Sequence, residues 1–311
     1  MADPATGSGL ASLPAPPAHP RRLVYLGTPE LAVPPLEALH AAGFDIALVV
    51  TRPDARRGRR GGDSPSPVKI AALALSLPVS HDVEDATTVG ADLGVVVAFG
   101  EIIRRPVLER LPLVNLHFSL LPRWRGAAPV ERALLAGDER TGVCVMAVEE
   151  GLDTGGIHAQ AELAIRRTST ADELGQQLTV LGSRLLVETL QAGLGTPVPQ
   201  AGEVTYAQKV NTADLELHWD QPAIELDRVV RLGGAWTTFR GRRLKVHSAR
   251  PGAEIAAGPP GTIESERVAT GHGSLQLLEV QPEGKGRAAF SSWLHGARPQ
   301  GDERLGETVP G

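Results

Sequence analysis

Three polar residues, Asn115, His117 and Asp153, have types and spacing suited to the chemistry of an acyl group. Asn115 and His117 lie two apart in the apolar run Leu113-Val114-Asn115-Leu116-His117. Side chains alternate along a strand, so both point to one face. One offers a neutral amide donor and the other a titratable donor. Asp153 stands in Glu149-Glu150-Gly151-Leu152-Asp153-Thr154-Gly155-Gly156, where glycines let the backbone fold tightly enough to carry it toward the neighbouring strand end. No Ser or Cys nucleophile is placed among the three, which suits direct acyl transfer to an amine through a tetrahedral oxyanion. Asn115 and His117 could donate to that oxygen, each worth ~3 kcal/mol. Asp153 beside the imidazole would stabilise its charged form and could take the amine proton, directly or through a water. Singly, an Asn or His at a strand end commonly caps, and an Asp between glycines commonly forms a turn. Their joint placement at adjacent strand exits favours a shared site.

Those exits belong to strands that alternate with helices. Residues 23–27 read as a buried strand, and 29–42 carry apolar residues near helical spacing up to Gly43. Residues 46–50 predict a strand, 67–75 a helix with Ser66 as N-cap and Pro67 at its first position, and 93–99 a further strand. Val95-Val96-Val97 is apolar on both faces, which fits a parallel strand covered on each side. Residues 113–117 and 143–148 continue the set. The pattern predicts an α/β, Rossmann-like, doubly wound domain whose ligands gather beyond the C-terminal ends of its strands. The first exit, Gly27-Thr28-Pro29-Glu30, lacks G-x-G-x-x-G, and the chain has no G-x-x-x-x-G-K-[ST], so neither NAD nor a nucleoside triphosphate is the expected ligand.

A long helix opens at 169–173, where Thr170 and Glu173 have capping-box spacing. Leu174, Leu178, Leu181 and Leu185 make its apolar face, and it ends near Gly193. From about residue 210 short strands at 236–239, 244–247, 262–263, 267–270 and 275–280, with turns at Gly241, Gly271 and Gly273, predict a smaller β-barrel. The expected division is a disordered extension over 1–20, a catalytic domain over 21–195, a linker over 196–209 and a second domain over 210–311.

Composition sets the outer bounds. The chain has 311 residues, 42% of them hydrophobic, which is length for about two domains with their own cores and excludes disorder as the main state. The single Cys144 excludes a disulfide framework and a Cys-based zinc site, and it reads as a small buried strand residue. His81, His158, His218, His247, His272 and His295 have no metal-ligand spacing, so no metal is expected. No run reaches the length of a membrane span, and the first twenty residues are not those of a secretory signal. A soluble protein of the reduced cytoplasm, without a membrane partner, is expected. A net charge of −5 argues against coating nucleic acid through overall charge, though local basic patches could still bind it.

The segments 115–129 and 151–155 resemble the signature of the folate-dependent formyltransferases, nearest those that act on tRNA. The resemblance runs over about 290 residues. It takes in Gly27-Thr28-Pro29-Glu30, Pro65-Ser66-Pro67-Val68-Lys69, Arg125-Gly126-Ala127-Ala128-Pro129, Thr205-Tyr206-Ala207 and the stretch 278–285. It implies 10-formyltetrahydrofolate as formyl donor, the amino group of methionine on initiator tRNA as acceptor, and Asn115, His117 and Asp153 as catalytic residues. It places a folate contact on Ser119, Leu120, Leu121 and Pro122, and a pterin pocket near Val97, Phe99, Glu101, Ile103, Val148 and Leu152. It also implies that the second domain is OB-like and helps to hold tRNA. A flat heterocycle without phosphate agrees with the missing glycine loop.

Two basic clusters suit a phosphate backbone. Arg52, Arg56, Arg57, Arg59 and Arg60 share one loop. Arg228, Arg231, Arg240, Arg242, Arg243, Lys245 and Arg250 lie in a stretch without an acidic residue. Arg123 and Arg125 adjoin the expected site, and Trp124 suits either stacking on a terminal base or core packing. A solvated charged face is the plain alternative for both clusters. The run Arg231-Leu232-Gly233-Gly234-Ala235-Trp236 is shorter than the resemblance implies, the arginine loop is trimmed, and the Pro-rich start is an addition. Formyl transfer to an amino sugar or other small amine is the alternative within enzymes, and an RNA-binding module the alternative outside them. A monomer suffices for the expected reaction.

Overall fold

Leu93-Gly94-Val95-Val96-Val97 is apolar on both faces, and in the computed structural model all five residues are buried in the middle of a sheet. The structure describes residues 13–56, 62–254 and 258–307. In chain order its first elements are β1 (Arg22–Gly27), α1 (Val33–Ala41), β2 (Asp45–Val50), β3 (Ala55–Arg56), β4 (Asp63–Ser64), α2 (Pro67–Ala74), β5 (Val79–Ser80), β6 (Leu93–Val97) and α3 (Arg105–Leu108). Then follow β7 (Leu113–His117), β8 (Arg125–Gly126), α4 (Pro129–Ala136), β9 (Arg140–Ala147), β10 (Ile157–Ala164), α5 (Ala171–Ala192) and β11 (Tyr206–Ala207). The last are α6 (Ala223–Arg231), β12 (Trp236–Phe239), β13 (Arg242–Gly252), β14 (Ile263–Glu264), β15 (Arg267–Ala269), β16 (Ser274–Pro282), β17 (Ala288–Ala289) and α7 (Phe290–Ala297).

The larger sheet has the order β10-β9-β7-β6-β1-β2-β5. Its five inner and right-hand strands are parallel, and β9 joins β7 antiparallel. From β1 the chain moves outward through β2 to β5, then returns across β1 to β6 and β7. The order therefore reverses between β1 and β6, and the crevice for a ligand opens at the C-terminal ends of these strands. Thr28 Oγ1 donates to the Phe99 carbonyl at 2.9 Å, tying the two exits together. On one face Val24, Leu26, Leu48, Val50 and Val96 pack with Phe99, Ile103, Val107 and Leu108. The alternating set, Leu23, Tyr25, Val95 and Val97, is fully buried on the other.

Local signals act as expected where they are strong. Ser66 Oγ accepts the Lys69 N–H at 3.0 Å and caps α2. Thr170 and Glu173 form the reciprocal capping box of α5. The buried stripe of α5 differs from the expected one: it follows Leu174, Leu178, Gly182, Leu186 and Leu190, while Leu181 and Leu185 are half-buried. The reason is Gly182, where an added Cβ would lie 3.0 Å from Leu116, so the bare backbone of the helix is what meets β7. The expected disorder of 1–20 is corrected for residues 13–20. Leu13 packs on the apolar cluster under the sheet, Pro20 is buried, and the Ala18 carbonyl accepts the Leu194 N–H at 2.7 Å. Residues 1–12 lie outside the described set.

By contacts the chain forms two units, and neither is contiguous. One comprises Met1–Ala127, Thr141–Leu163 and Gln176–Ala207; the other comprises Ala128–Arg140, Ala164–Gly175 and Gln208–Gly311. The stretch 196–207, within the expected linker, is bonded into the first unit: Val198 bridges Ile157, and β11 pairs parallel with β8. Segments of the expected catalytic domain join the second unit through specific bonds. Arg132 reaches Asp214 at 3.1 Å and the Gln208 carbonyl at 2.8 Å, and Arg231 donates to the Ser169 carbonyl at 2.9 Å.

The second unit is built on an antiparallel sheet of order β12-β13-β16-β15-β14, with β17 on β16. Leu217, Trp219, Leu226, Val230, Phe239, Val246, Leu277 and Phe290 form its core with α6 and α7. The buried Trp219 Nε1–H finds the buried Thr237 hydroxyl at 2.9 Å. Arg240 holds the C-terminal segment, donating through Nε and Nη2 to the two carboxylate oxygens of Glu303, each at 2.6 Å, and reaching the Ala297 carbonyl. Among the described residues, no helix is long and apolar enough to cross a membrane.

Two outcomes follow. Thr237→Val strands the Trp219 indole N–H in the core and is expected to cost about 1–3 kcal/mol, read as a lower urea midpoint at constant slope. Arg240 and the Gln300 N–H hold the Glu303 carboxyl down at about 2. A lowered folded value stabilises the fold above the ordinary carboxylate range, and that contribution fades as pH falls through about 2. Thermal midpoints of the parent and Glu303→Gln are therefore expected to differ slightly at neutral pH, as befits an exposed pair, and to converge on acidification.

Candidate active site

β7 ends at the residues that carry the candidate chemistry. Its apolar residues Leu113, Val114 and Leu116 are buried, Asn115 is half-buried, and His117 is 5% exposed. Asn115 lies beside Val96 of β6 and Met146 of β9, and His117 beside Cys144. Beyond His117 the chain turns back on itself: Ser119 Oγ donates to the Arg123 carbonyl at 2.6 Å, and Trp124 adopts a left-handed conformation with φ 63°. That turn aims the Trp124 carbonyl at His117 Nε2, 2.9 Å away. A carbonyl only accepts, so Nε2 carries the hydrogen and Nδ1 is the nitrogen left to exchange a proton.

Nδ1 faces Asp153 Oδ2 at 3.7 Å, and Asn115 Nδ2 stands 3.5 Å from Asp153 Oδ1. The three residues expected to share a site do converge. Both separations exceed a tight hydrogen bond. Asp153 is held from elsewhere: its Oδ2 accepts the Gly126 N–H at 2.8 Å. Its backbone is left-handed, φ 51°, which costs a non-glycine residue of order 1–2 kcal/mol. Gly155 is required two residues later, because a Cβ there would sit 1.9 Å from the Ala147 carbonyl oxygen.

One polar residue at this site has no mark in the sequence. Gln200 Nε2 donates to the carbonyls of Asp153 and Gly155, both at 2.8 Å, and its Oε1 accepts from Arg125 Nε at 3.1 Å and Nη2 at 2.6 Å. It follows Pro197-Val198-Pro199 in a stretch that reads as linker, and nothing local distinguishes it.

The residues expected around folate fall into four different environments. Phe99, Ile103 and Val148 share one apolar cluster, whereas Val97 is buried on the opposite face of the sheet. Glu101 and Leu152 are exposed, as is Ile102 between Glu101 and Ile103. Ser119 and Leu121 are buried and Pro122 buried beside them; Leu120 packs against Gly142, and Leu121 packs on Cys144 and Met146. Cys144 Sγ donates to the Ser119 carbonyl at 3.1 Å, and burial pushes its thiol up to about 11, so it is an inert core group. Phe99 lies between left-handed Ala98 and Gly100, and Arg52 Nη1 donates to the Gly100 carbonyl at 3.1 Å.

Several arginines expected on tRNA have partners within the fold. Arg52 pins the β6 exit, Arg125 grips Gln200, and Arg240 is committed to Glu303. Arg228 donates to the Ala136 carbonyl, and Arg231 pairs with the buried Asp227 at 2.8 Å. Burial raises the Asp227 carboxyl against the opposing pull of Arg231. Arg123 is exposed and lies over the Trp124 ring at 4.5 Å. Arg243 lies over Trp236 at 4.0 Å, with Arg242, Lys245 and Arg250 exposed along the same strand. Arg56 is exposed, and Arg57, Arg59 and Arg60 lie outside the described residues. Among the described residues no cluster of His, Cys, Asp and Glu is arranged to hold a metal ion.

Comparison with known proteins bears on the family and the fold. The profile of the formyl transferase family matches residues 21–190, and that of the formyl transferase C-terminal domain matches residues 209–298. The chain is 42% identical over 296 residues to the methionyl-tRNA formyltransferase of Roseobacter denitrificans, covering 89% of this chain and 96% of that one. It is 43% identical over 298 residues to the methionyl-tRNA formyltransferase of Leifsonia xyli subsp. xyli, covering 89% and 97%. Among solved structures, the N-formyltransferase of Helicobacter canadensis with folinic acid and dTDP-3-aminofucose superposes with a TM-score of 0.64 at 17% identity, over 83% of this chain and 98% of that one. HypX of Aquifex aeolicus in complex with tetrahydrofolic acid gives 0.61 at 17% identity over 89% of this chain, which spans about half of HypX, 47%. At such identities the superpositions speak for the fold alone. Profile, relatives and fold agree: the chain belongs to the formyl transferase family, among the methionyl-tRNA formyltransferases.

Proposed function

We propose that this chain transfers the formyl group of 10-formyltetrahydrofolate to the amino group of methionine on initiator tRNA. The observation that carries the reading is the convergence of Asn115, His117 and Asp153 at the end of β7, in a chain 42% identical to methionyl-tRNA formyltransferases. The methionine amine attacks the formyl carbon, forming a C–N bond and placing negative charge on the formyl oxygen. Asn115 Nδ2–H and a protonated His117 Nδ1 are the two donors that stabilise this oxygen as the charge develops. His117 Nε2 is occupied by the Trp124 carbonyl, so the ring keeps its orientation while Nδ1 gains or loses a proton. Asp153 takes the amine proton, directly or through a water. The bond from the carbon to N10 of folate then breaks, and the proton taken by Asp153 passes to N10 as tetrahydrofolate leaves.

The apolar cluster of Phe99, Ile103 and Val148 suits one face of a pterin, and the carbonyls of the 97–101 exit suit its polar edge. Glu101 and Leu152 are rim residues in this reading, and the 119–122 turn contributes backbone. The second unit acts as an OB-like, tRNA-holding domain through Arg242, Arg243, Lys245 and the Trp236 ring. Arg56, Arg57, Arg59, Arg60 and Arg123 complete the phosphate-facing set. A monomer in the reduced cytoplasm meets these needs.

Rapid-mixing formyl transfer by variants tests the roles. His117→Ala and Asp153→Asn are each expected to lower kcat roughly 100- to 10,000-fold with the fold intact by circular dichroism. Normal turnover in either removes it from the mechanism. Asn115→Ala is expected to lower kcat about 100-fold with little change in folate affinity. A loss confined to folate binding reassigns Asn115 to the donor pocket. Replacing Arg56, Arg57, Arg59 and Arg60 together with Gln is expected to raise KM for tRNA, but not for folate, and to flatten its salt dependence. Unchanged KM returns that loop to a solvated surface.

A further inference from the structure

Gln200 has four hydrogen-bonding positions, and all four are used. Its two amide hydrogens go to the carbonyls of Asp153 and Gly155, and its oxygen receives two N–H groups from one guanidinium, that of Arg125. This settles which way the amide points: an oxygen cannot face two carbonyls, and an NH2 cannot face a guanidinium. The residue after Arg125 is Gly126, whose N–H donates to the Asp153 carboxylate at 2.8 Å. One dipeptide thus grips Asp153 twice, on its carboxylate through Gly126 and on its main chain through Arg125 and Gln200.

That dipeptide is itself fixed. Arg125 N–H donates to the Thr205 carbonyl at 2.9 Å, Ala127 N–H donates to the Ala207 carbonyl at 2.9 Å, and Trp124 N–H donates to Thr205 Oγ1 at 2.9 Å. Only glycine fits at 126, where φ is 117° and a Cβ would stand 2.9 Å from the Ala207 carbonyl oxygen. The same stretch supplies the Trp124 carbonyl that orients His117. The segment that follows α5 therefore fastens His117 and Asp153 to one another's frame, although neither residue belongs to it.

We propose that Gln200, polarised by Arg125, is a positioning residue that holds the left-handed Asp153 turn so that its carboxylate stays between Asn115 and His117. The inference rests on the formyl-transfer reading of Asp153. Arg125 then serves the reaction from inside the fold rather than on tRNA phosphate. A charged donor strengthens the bonds made by the amide it polarises, so a neutral residue at 125 weakens the clamp without removing it. Gln200→Glu keeps the bond to Arg125 but turns the other end into an oxygen facing two carbonyls.

The test compares the full-length parent with Gln200→Ala, Gln200→Glu and Arg125→Met, alone and in the Asp153→Asn background. The Gly126 amide reports the clamp without any substrate, because its hydrogen bond ends on the Asp153 carboxylate. Its hydrogen exchange, followed by NMR, is expected to rise about tenfold or more in both Gln200 variants and less in Arg125→Met. The kcat for formyl transfer is expected to fall roughly 10- to 100-fold in both Gln200 variants, with KM for donor and tRNA within about threefold of the parent. In the Asp153→Asn background, Gln200→Ala is expected to change kcat by less than about twofold. Parental exchange at Gly126 in Gln200→Ala overturns the clamp. Raised exchange with parental kcat overturns its part in the reaction, as does a full loss of kcat in the Asp153→Asn background. A parent that performs no formyl transfer contradicts the reaction itself, and the exchange result still decides the clamp.

Discussion

The hydrogen bond from Gly126 N–H to the Asp153 carboxylate is the contact on which the candidate site depends. Asp153 lies on a loop between β9 and β10, whereas Asn115 and His117 lie on β7, and a loop carboxylate left to itself would turn to water. A carboxylate accepting a backbone N–H is held at short range by a charge-assisted bond, here 2.8 Å. The donor is placed by the pairing of β8 with β11, two residues against two, which requires glycine at 126. The stretch 205–207 thereby shapes a site in a distant part of the sequence. The sheet supplies the other half of the arrangement, since the reversal between β1 and β6 opens the crevice and the adjacent β7 carries its donors to the same end.

The elements with strong local signals were legible in the sequence. Alternation put Asn115 and His117 on one face, and the glycines around Asp153 announced a tight return. Ser66 and the Thr170–Glu173 pair marked helix starts by their own hydrogen bonds. β10 alternates between half-buried and exposed positions over most of its length, yet its small residues, Ala159, Ala161 and Ala164, weaken the contrast in sequence on which such a pattern depends. Gln200 was illegible for a different reason: its partners lie 45 to 75 residues away, and no spacing rule connects them. The interleaved division into units has the same origin, since bonds such as Arg132 to Asp214 span 82 residues.

Arginine was the residue type that sequence served least well. A guanidinium reads as a phosphate contact wherever several occur together, but its five donors equally serve carbonyls and carboxylates inside a fold. Arg52, Arg125, Arg231 and Arg240 are spent in that way, on Gly100, Gln200, Asp227 and Glu303. Arg242, Lys245 and Arg250, exposed on the strand that carries Arg243, are the described remainder of their cluster. The net charge of −5 is compatible with a basic surface on one strand, because net charge sums over the whole chain and does not report how charge is distributed.

The most direct measurement is formyl transfer from 10-formyltetrahydrofolate by the full chain, with methionyl initiator tRNA, methionyl elongator tRNA, free methionine and a nucleotide-linked amino sugar as parallel acceptors. Rapid formylation of the initiator tRNA, with the other acceptors far slower, is the expected result. Transfer to the amino sugar in preference to tRNA, or binding of folate without transfer to any tRNA, would contradict it.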